Sequence, residues 1–158
     1  MRKKSKYKPR AILANPMGYV LESMTPVAKH DSFMIDLKIK NHGAMTSVMQ
    51  GKGTRQDIDA LIQMLNITEA LYRLGFGSEY KEVIAEGLEA LREVAGRGAA
   101  TGRFIMRASE IKAMNEAMEL HDAQMEVITI KDMENAIKVV HEEIRSKRAT
   151  PIKGAHSA

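Results

Sequence analysis

The chain has 158 residues with 24 basic and 20 acidic side chains, a formal net charge of +4, and no cysteine or tryptophan. That length suits one domain with its own hydrophobic core plus tails. The composition excludes a disulfide framework and thiolate chemistry, no apolar run approaches the ~18 residues of a membrane span, and the charged N-terminus lacks a following signal-peptide region, all of which fits a cytoplasmic setting.

The charge is unevenly placed. Residues 1–10 hold six basic side chains and no acid: Arg2, Lys3, Lys4, Lys6, Lys8 and Arg10. Residues 145–158 hold four more, so the body between carries 14 basic against all 20 acidic residues, a net of −6. Residues 1–14 are therefore expected to form a flexible basic arm, 15–148 a single helical domain, and 149–158 a flexible tail.

In chain order, Asn15-Pro16 reads as a helix start, and Thr25-Pro26 as the stop of a short helix over 16–24. Residues 31–50 carry two patterns. Phe33, Ile35, Leu37 and Ile39 alternate as in a strand, whereas Met34, Leu37, Asn41, Ala44, Met45 and Val48 share a helix face. The length of the segment and its helical neighbours favour a helix, ended by Gly51-Lys52-Gly53. Thr54 with Asp57 forms a capping-box-like start to a helix over 54–74, with Ile58, Leu61, Ile62, Leu65 and Leu71 inward. Gly75-Phe76-Gly77 is a turn. Ser78 is expected to cap a helix over 79–95, closed by Gly96-Arg97-Gly98. Residues 97–107 read as a connector, briefly extended near Phe104. The glycosylation pattern Asn66-Ile67-Thr68 lies mid-helix and is set aside.

The clearest helical pattern is 109–128, expected to be the central element. Ile111, Met114, Met118, His121, Met125 and Ile128 follow steps of three and four, with Lys112, Glu116, Glu119, Asp122 and Glu126 opposite. Thr129 and Asp132 suggest another cap, and Ile130, Met133, Ile137, Val140 and Ile144 stripe a last helix over 130–147. Twelve methionines replace aromatic volume in the core. The sum is an all-α bundle of five or six helices. The two last stripes keep heptad spacing, which a bundle explains and a homodimer through these helices explains equally well.

Few residues carry a chemical signal. His121 interrupts an apolar stripe and could act as a base or metal ligand. Asp122 is about 100° round the helix from it, and Met118 stands where a Glu-x-x-His metal site would need its carboxylate. A buried histidine bonded to a neighbouring carbonyl, or a polar residue fixing helix register, is the simpler reading. Asn41 and His42 would form a polar site if they met His121; alternatively they mark the end of a short element before Gly43. Gly96, Gly98 and Gly102 with Arg97 and Arg103 suggest a phosphate loop, but the stretch follows a helix rather than a strand, so an inter-helix turn is favoured. No nucleophile-elbow, P-loop or zinc-ligand motif occurs. The basic arm is the strongest binding signal, suited to lying along phosphates.

The segments LKIKNHGAM (37–45), NITEAL (66–71), RGAATGRFIM (97–106) and AMELHDAQMEVITIKDMENAI (117–137) resemble a family of small uncharacterised accessory proteins of tailed phages and prophages of proteobacteria. The likeness covers roughly residues 15–150 and carries no catalytic motif. It implies a phage or prophage protein acting in the bacterial host cytoplasm. The expectation is a non-enzymatic binding protein, without metal or cofactor, that regulates or inhibits a host protein or nucleoprotein complex, host defence included. A nucleic-acid-binding regulator using the arm on DNA or RNA is the first alternative. A small metal-dependent or histidine-dependent enzyme using His42 and His121 is the second, and a structural virion protein is a third.

Overall fold

The computed structural model describes residues 23–146 together with Met17 and Leu21. In these residues the chain forms five α-helices: α1 (Asp31–Met49), α2 (Arg55–Arg73), α3 (Lys81–Thr101), α4 (Ala108–Val127) and α5 (Ile130–Arg145). Short 3-10 turns occupy Val27–Lys29 and Ser78–Tyr80. The architecture is the expected all-α bundle, and the described residues contain no strand, only isolated bridges pairing Pro26 with Thr129 and Gly53 with Phe104. No helix among them is long and apolar enough to cross a membrane. The basic arm, the C-terminal tail and most of the 16–24 helix lie outside the described residues; Met17, Leu21 and Ser23 are helical.

The ambiguous stretch 31–50 is helical. Its buried residues are Met34, Asn41, Ala44, Met45 and Val48, the three-four set, while Phe33, Ile35 and Ile39 of the alternating set are exposed. An apolar stripe at helical period can seat on a neighbouring helix, and α1 does so on α2.

α2, rather than the 109–128 helix, is the hub. It packs on α1, α3, α4 and α5 and buries Ile58, Leu61, Met64, Leu65, Thr68 and Leu71. It begins with the expected capping box, in which Thr54 Oγ1 accepts from the Asp57 N–H and the Asp57 carboxylate accepts from the Thr54 N–H. α4 and α3 form the other close pair.

The start and end of α3 differ from expectation. Ser78 sits in the preceding 3-10 turn and does not cap the helix, which starts at Lys81. The helix then runs through Gly96 and Gly98 to Thr101 and closes at Gly102, whose φ of +74° suits glycine and whose N–H reaches the Gly98 carbonyl at 2.8 Å. Gly98 is a packing residue: a Cβ there would lie 2.0 Å from the Phe104 ring, which folds back over the helix. Arg97 leaves the same turn to bind Glu110 at 2.7 and 2.5 Å and the Ile105 carbonyl at 3.0 Å, pinning the α3–α4 connection.

α4 ends where Ile128 turns extended, and α5 restarts on the Thr129–Asp132 capping box. Residues 25–27 clamp this junction: the Val27 N–H donates to Ile128 O at 2.9 Å and the Ile130 N–H to Thr25 O at 3.0 Å.

The core falls into two apolar clusters. One joins Met45, Val48, Leu61, Leu65, Leu91, Val94 and Met114. The other joins Val27, Met34, Leu71, Met125, Ile128 and Ala136. Asn41, Thr68, His121 and Gln124, all buried, stand between them along their helices.

Candidate functional site

This polar layer is where the sequence-derived candidates meet. α1 and α4 run antiparallel, which brings Asn41 to His121, His42 to Asp122 and Lys38 to Glu126. His121 is 2% exposed. Its Nδ1 lies 3.0 Å from Thr68 Oγ1, and its Nε2 lies 3.5 Å from Asn41 Nδ2. Thr68 donates its own hydroxyl proton to Met64 O at 2.9 Å. Its oxygen is then an acceptor, so the network assigns the proton of His121 to Nδ1 and leaves Nε2 to accept from the Asn41 amide. The ring is neutral and both nitrogens are engaged.

Burial pushes the His121 pKa down to about 4; the Asp122 carboxylate opposes this and the neighbouring His42 adds to it. Protonation would also turn Nε2 into a donor facing the Asn41 amide donor. His121 is therefore bonded to side chains rather than to a neighbouring carbonyl, and Asp122 does not face it. Asp122 Oδ2 instead holds His42 Nε2 at 2.9 Å on the surface.

Gln124 extends the layer. Its Nε2 donates to Thr68 O at 3.1 Å and to Phe76 O at 3.0 Å, tying α4 to the end of α2 and the turn after it. Its Oε1 is buried without a hydrogen-bond partner among the described residues. A shallow open depression beside the Lys38–Glu126 pair is lined by Ala28, Asp31, Met34 and Ile35.

The expected meeting of His42 and His121 is thus partial. Both lie on the α1–α4 seam, one sealed inside and one open to solvent, and they do not converge on a shared ligand position. Among the described residues no group of three or more histidine and acidic side chains is placed to hold a metal ion. The six arm residues Arg2, Lys3, Lys4, Lys6, Lys8 and Arg10 lie outside the described residues.

Sequence reading missed Thr68 and Gln124. Thr68 shares the buried stripe of α2 with Leu61 and Leu65, and Gln124 is three residues after His121, so a polar residue in each buried stripe was the available signal. It also missed the Arg97–Glu110 pair. Burial alone would raise the Glu110 pKa, but hydrogen bonds from the Arg97 guanidinium and the Arg107 N–H hold it below the usual carboxylate range.

Fold and site together define a helical bundle whose polar centre is closed and whose surface carries the open features. No family model matches the chain, nor does any curated protein or solved structure.

Proposed function

We propose that the chain is a binding protein without turnover of its own, an accessory protein of phage or prophage origin that engages a host protein or a nucleoprotein complex. One observation carries this reading: large apolar side chains are aligned on helix faces that nothing in the described chain covers. Met17, Leu21 and Met24 follow steps of four and three and are each about two-thirds exposed, at 67%, 65% and 66%. Ile35 and Ile39 on α1 and Ile137 and Ile144 on α5 are exposed in the same way. Exposed apolar side chains aligned at helical spacing in this way mark interaction sites. The sealed setting of His121 supports the same reading, because an acid-base group must be reachable by what it acts on.

The test is capture from bacterial lysate on three immobilised chains: the natural one, Leu21→Asp and Ile137→Asp. The expected result is a stoichiometric partner held by the natural chain and lost from at least one variant of unchanged melting temperature. An identical captured set on all three ends the proposal, as does a reaction of the purified chain that His42→Ala abolishes.

A nucleic-acid-binding role is the second reading, favoured by six basic side chains within ten residues of the arm.

A further inference from the structure

α5 has a feature that periodicity alone does not reveal. Ile130, Ile137 and Ile144 recur every seven residues and form a column along the helix. Met133 and Val140, between them, pack on the cluster around Leu71, Met125 and Ala136. Ile130 packs on that cluster as well, and the isoleucine column then turns progressively outward: Ile130 is half-buried, Ile137 is 40% exposed and Ile144 57%. Only Ala136 of the whole helix is fully buried.

A second column runs parallel on the solvent side. Lys131, Lys138 and Arg145 also recur every seven residues and are exposed. None of them pairs with an acid among the described residues. The two columns extend over about 21 Å at 1.5 Å per residue, three to four turns of a partner helix.

We propose that this face of α5 seats an amphipathic helix of a partner protein, one whose apolar heptad stripe is flanked by glutamate or aspartate. This rests on the binding-protein reading above and names the partner's chemistry. β-branched side chains at heptad spacing form the seam on which another helix packs its knobs. Glu134 and His141 lie between the two columns, and the three cations outnumber that one acid, so the basic column sets the flank, where the flanking charges of a paired helix meet. A second copy docked antiparallel through the same column would set the basic columns against each other, which disfavours that occupant. A phosphate backbone would use the lysines and leave the isoleucines in water.

The experiment uses the full chain and two labelled three-heptad synthetic helices. Both have leucine at the core positions; one has glutamate and the other lysine at the flanks. Anisotropy titration should show saturable binding of the glutamate peptide and none of the lysine peptide. Ile137→Asp and Ile144→Asp should each weaken it about tenfold, with melting temperature unchanged. Lys138→Glu should weaken the glutamate peptide and admit the lysine peptide. If Ile137→Asp does not fold, the more exposed Ile144→Asp carries the test.

Failure of both peptides, or binding indifferent to the isoleucines, overturns the inference. So does a dimer in sedimentation equilibrium that Ile144→Asp abolishes and the peptide does not compete with, or displacement of the peptide by duplex DNA through the lysines alone. If a lysate partner depends on Ile137 while both peptides fail, the binding reading stands and the acidic-helix inference falls.

Discussion

His121 is kept neutral by two separate causes, burial and a hydrogen-bond network already complete without a second proton. The sign of its effect on stability follows. The folded value, about 4, lies below the ordinary 6.5, so between these the unfolded chain binds more protons than the folded one. The contribution is fully present above pH 6.5 and is lost as pH falls toward 4, by roughly 3 kcal/mol. Urea midpoints over that range should show it, and His121→Gln, which has no such proton to bind, should flatten that part of the slope. An unchanged slope in the variant would mean the ring is not held as described. Glu110 adds acid sensitivity lower in the scale, because its folded pKa is depressed and its stabilisation is lost when it protonates. Truncation of the ring by His121→Ala removes a buried partner of Asn41 and Thr68 and should cost about 3 kcal/mol, read as a shift in melting temperature. The odd histidine was legible in the sequence as a polar residue in an apolar stripe. Asn41 could be named as a candidate partner, although 80 residues away, because it too is a polar residue in an apolar stripe; Thr68, 53 residues away, was not named.

The helices divide into parts that local chemistry specifies and parts that it does not. The capping boxes at Thr54 and Thr129 were legible because a cap needs only residues three apart. Thr129→Ala should lower stability by about 1 kcal/mol in chemical denaturation, because it orphans the Asp132 N–H at the start of α5. The end of α3 was not legible, because a glycine pair reads as a stop unless something else requires glycine there. Gly96 and Gly98 separate the two cases. Gly96 is helical with open space around its Cβ position, so Gly96→Ala should stabilise by about 0.8 kcal/mol. Gly98→Ala would drive a methyl into the Phe104 ring and should destabilise by about 2 kcal/mol. Thermal melts of the two variants should therefore move in opposite directions. If both rise, Phe104 does not lie over α3. At 31–50, where two apolar periods overlapped, segment length and helical neighbours favoured the helix, and burial of its three-four set against α2 bears that out.

For the whole molecule the question is which surfaces remain open once the bundle closes. α4 and α5 carry equally good heptad stripes in sequence. The bundle uses that of α4 internally, with Met114, Met118, His121, Met125 and Ile128 all buried. It leaves part of the α5 stripe in solvent. The half of the expected dimer seam assigned to α4 is thus occupied within the chain. The charge layout gives a further expectation for the nucleic-acid reading. Labelled duplex DNA or RNA should bind more weakly as salt rises, with a slope near −5 in log K against log salt if all six arm cations contact phosphates. A chain lacking residues 1–10 should lose most of that binding. Salt-independent binding, or binding indifferent to the arm, would end that reading.

Helix type, most helix positions, the two capping boxes, the methionine-rich core and the basic arm were determined by the sequence alone, because each rests on residues within one or two helical turns of each other or on composition. The tertiary structure alone decided that α2 is the hub, that α3 continues through its glycines, that Asn41, Thr68, His121 and Gln124 close one polar layer, and that the isoleucine column of α5 stays open. Each of these depends on which distant side chain fills the space beside a residue, and a periodic pattern states only that a face will be covered, not by what.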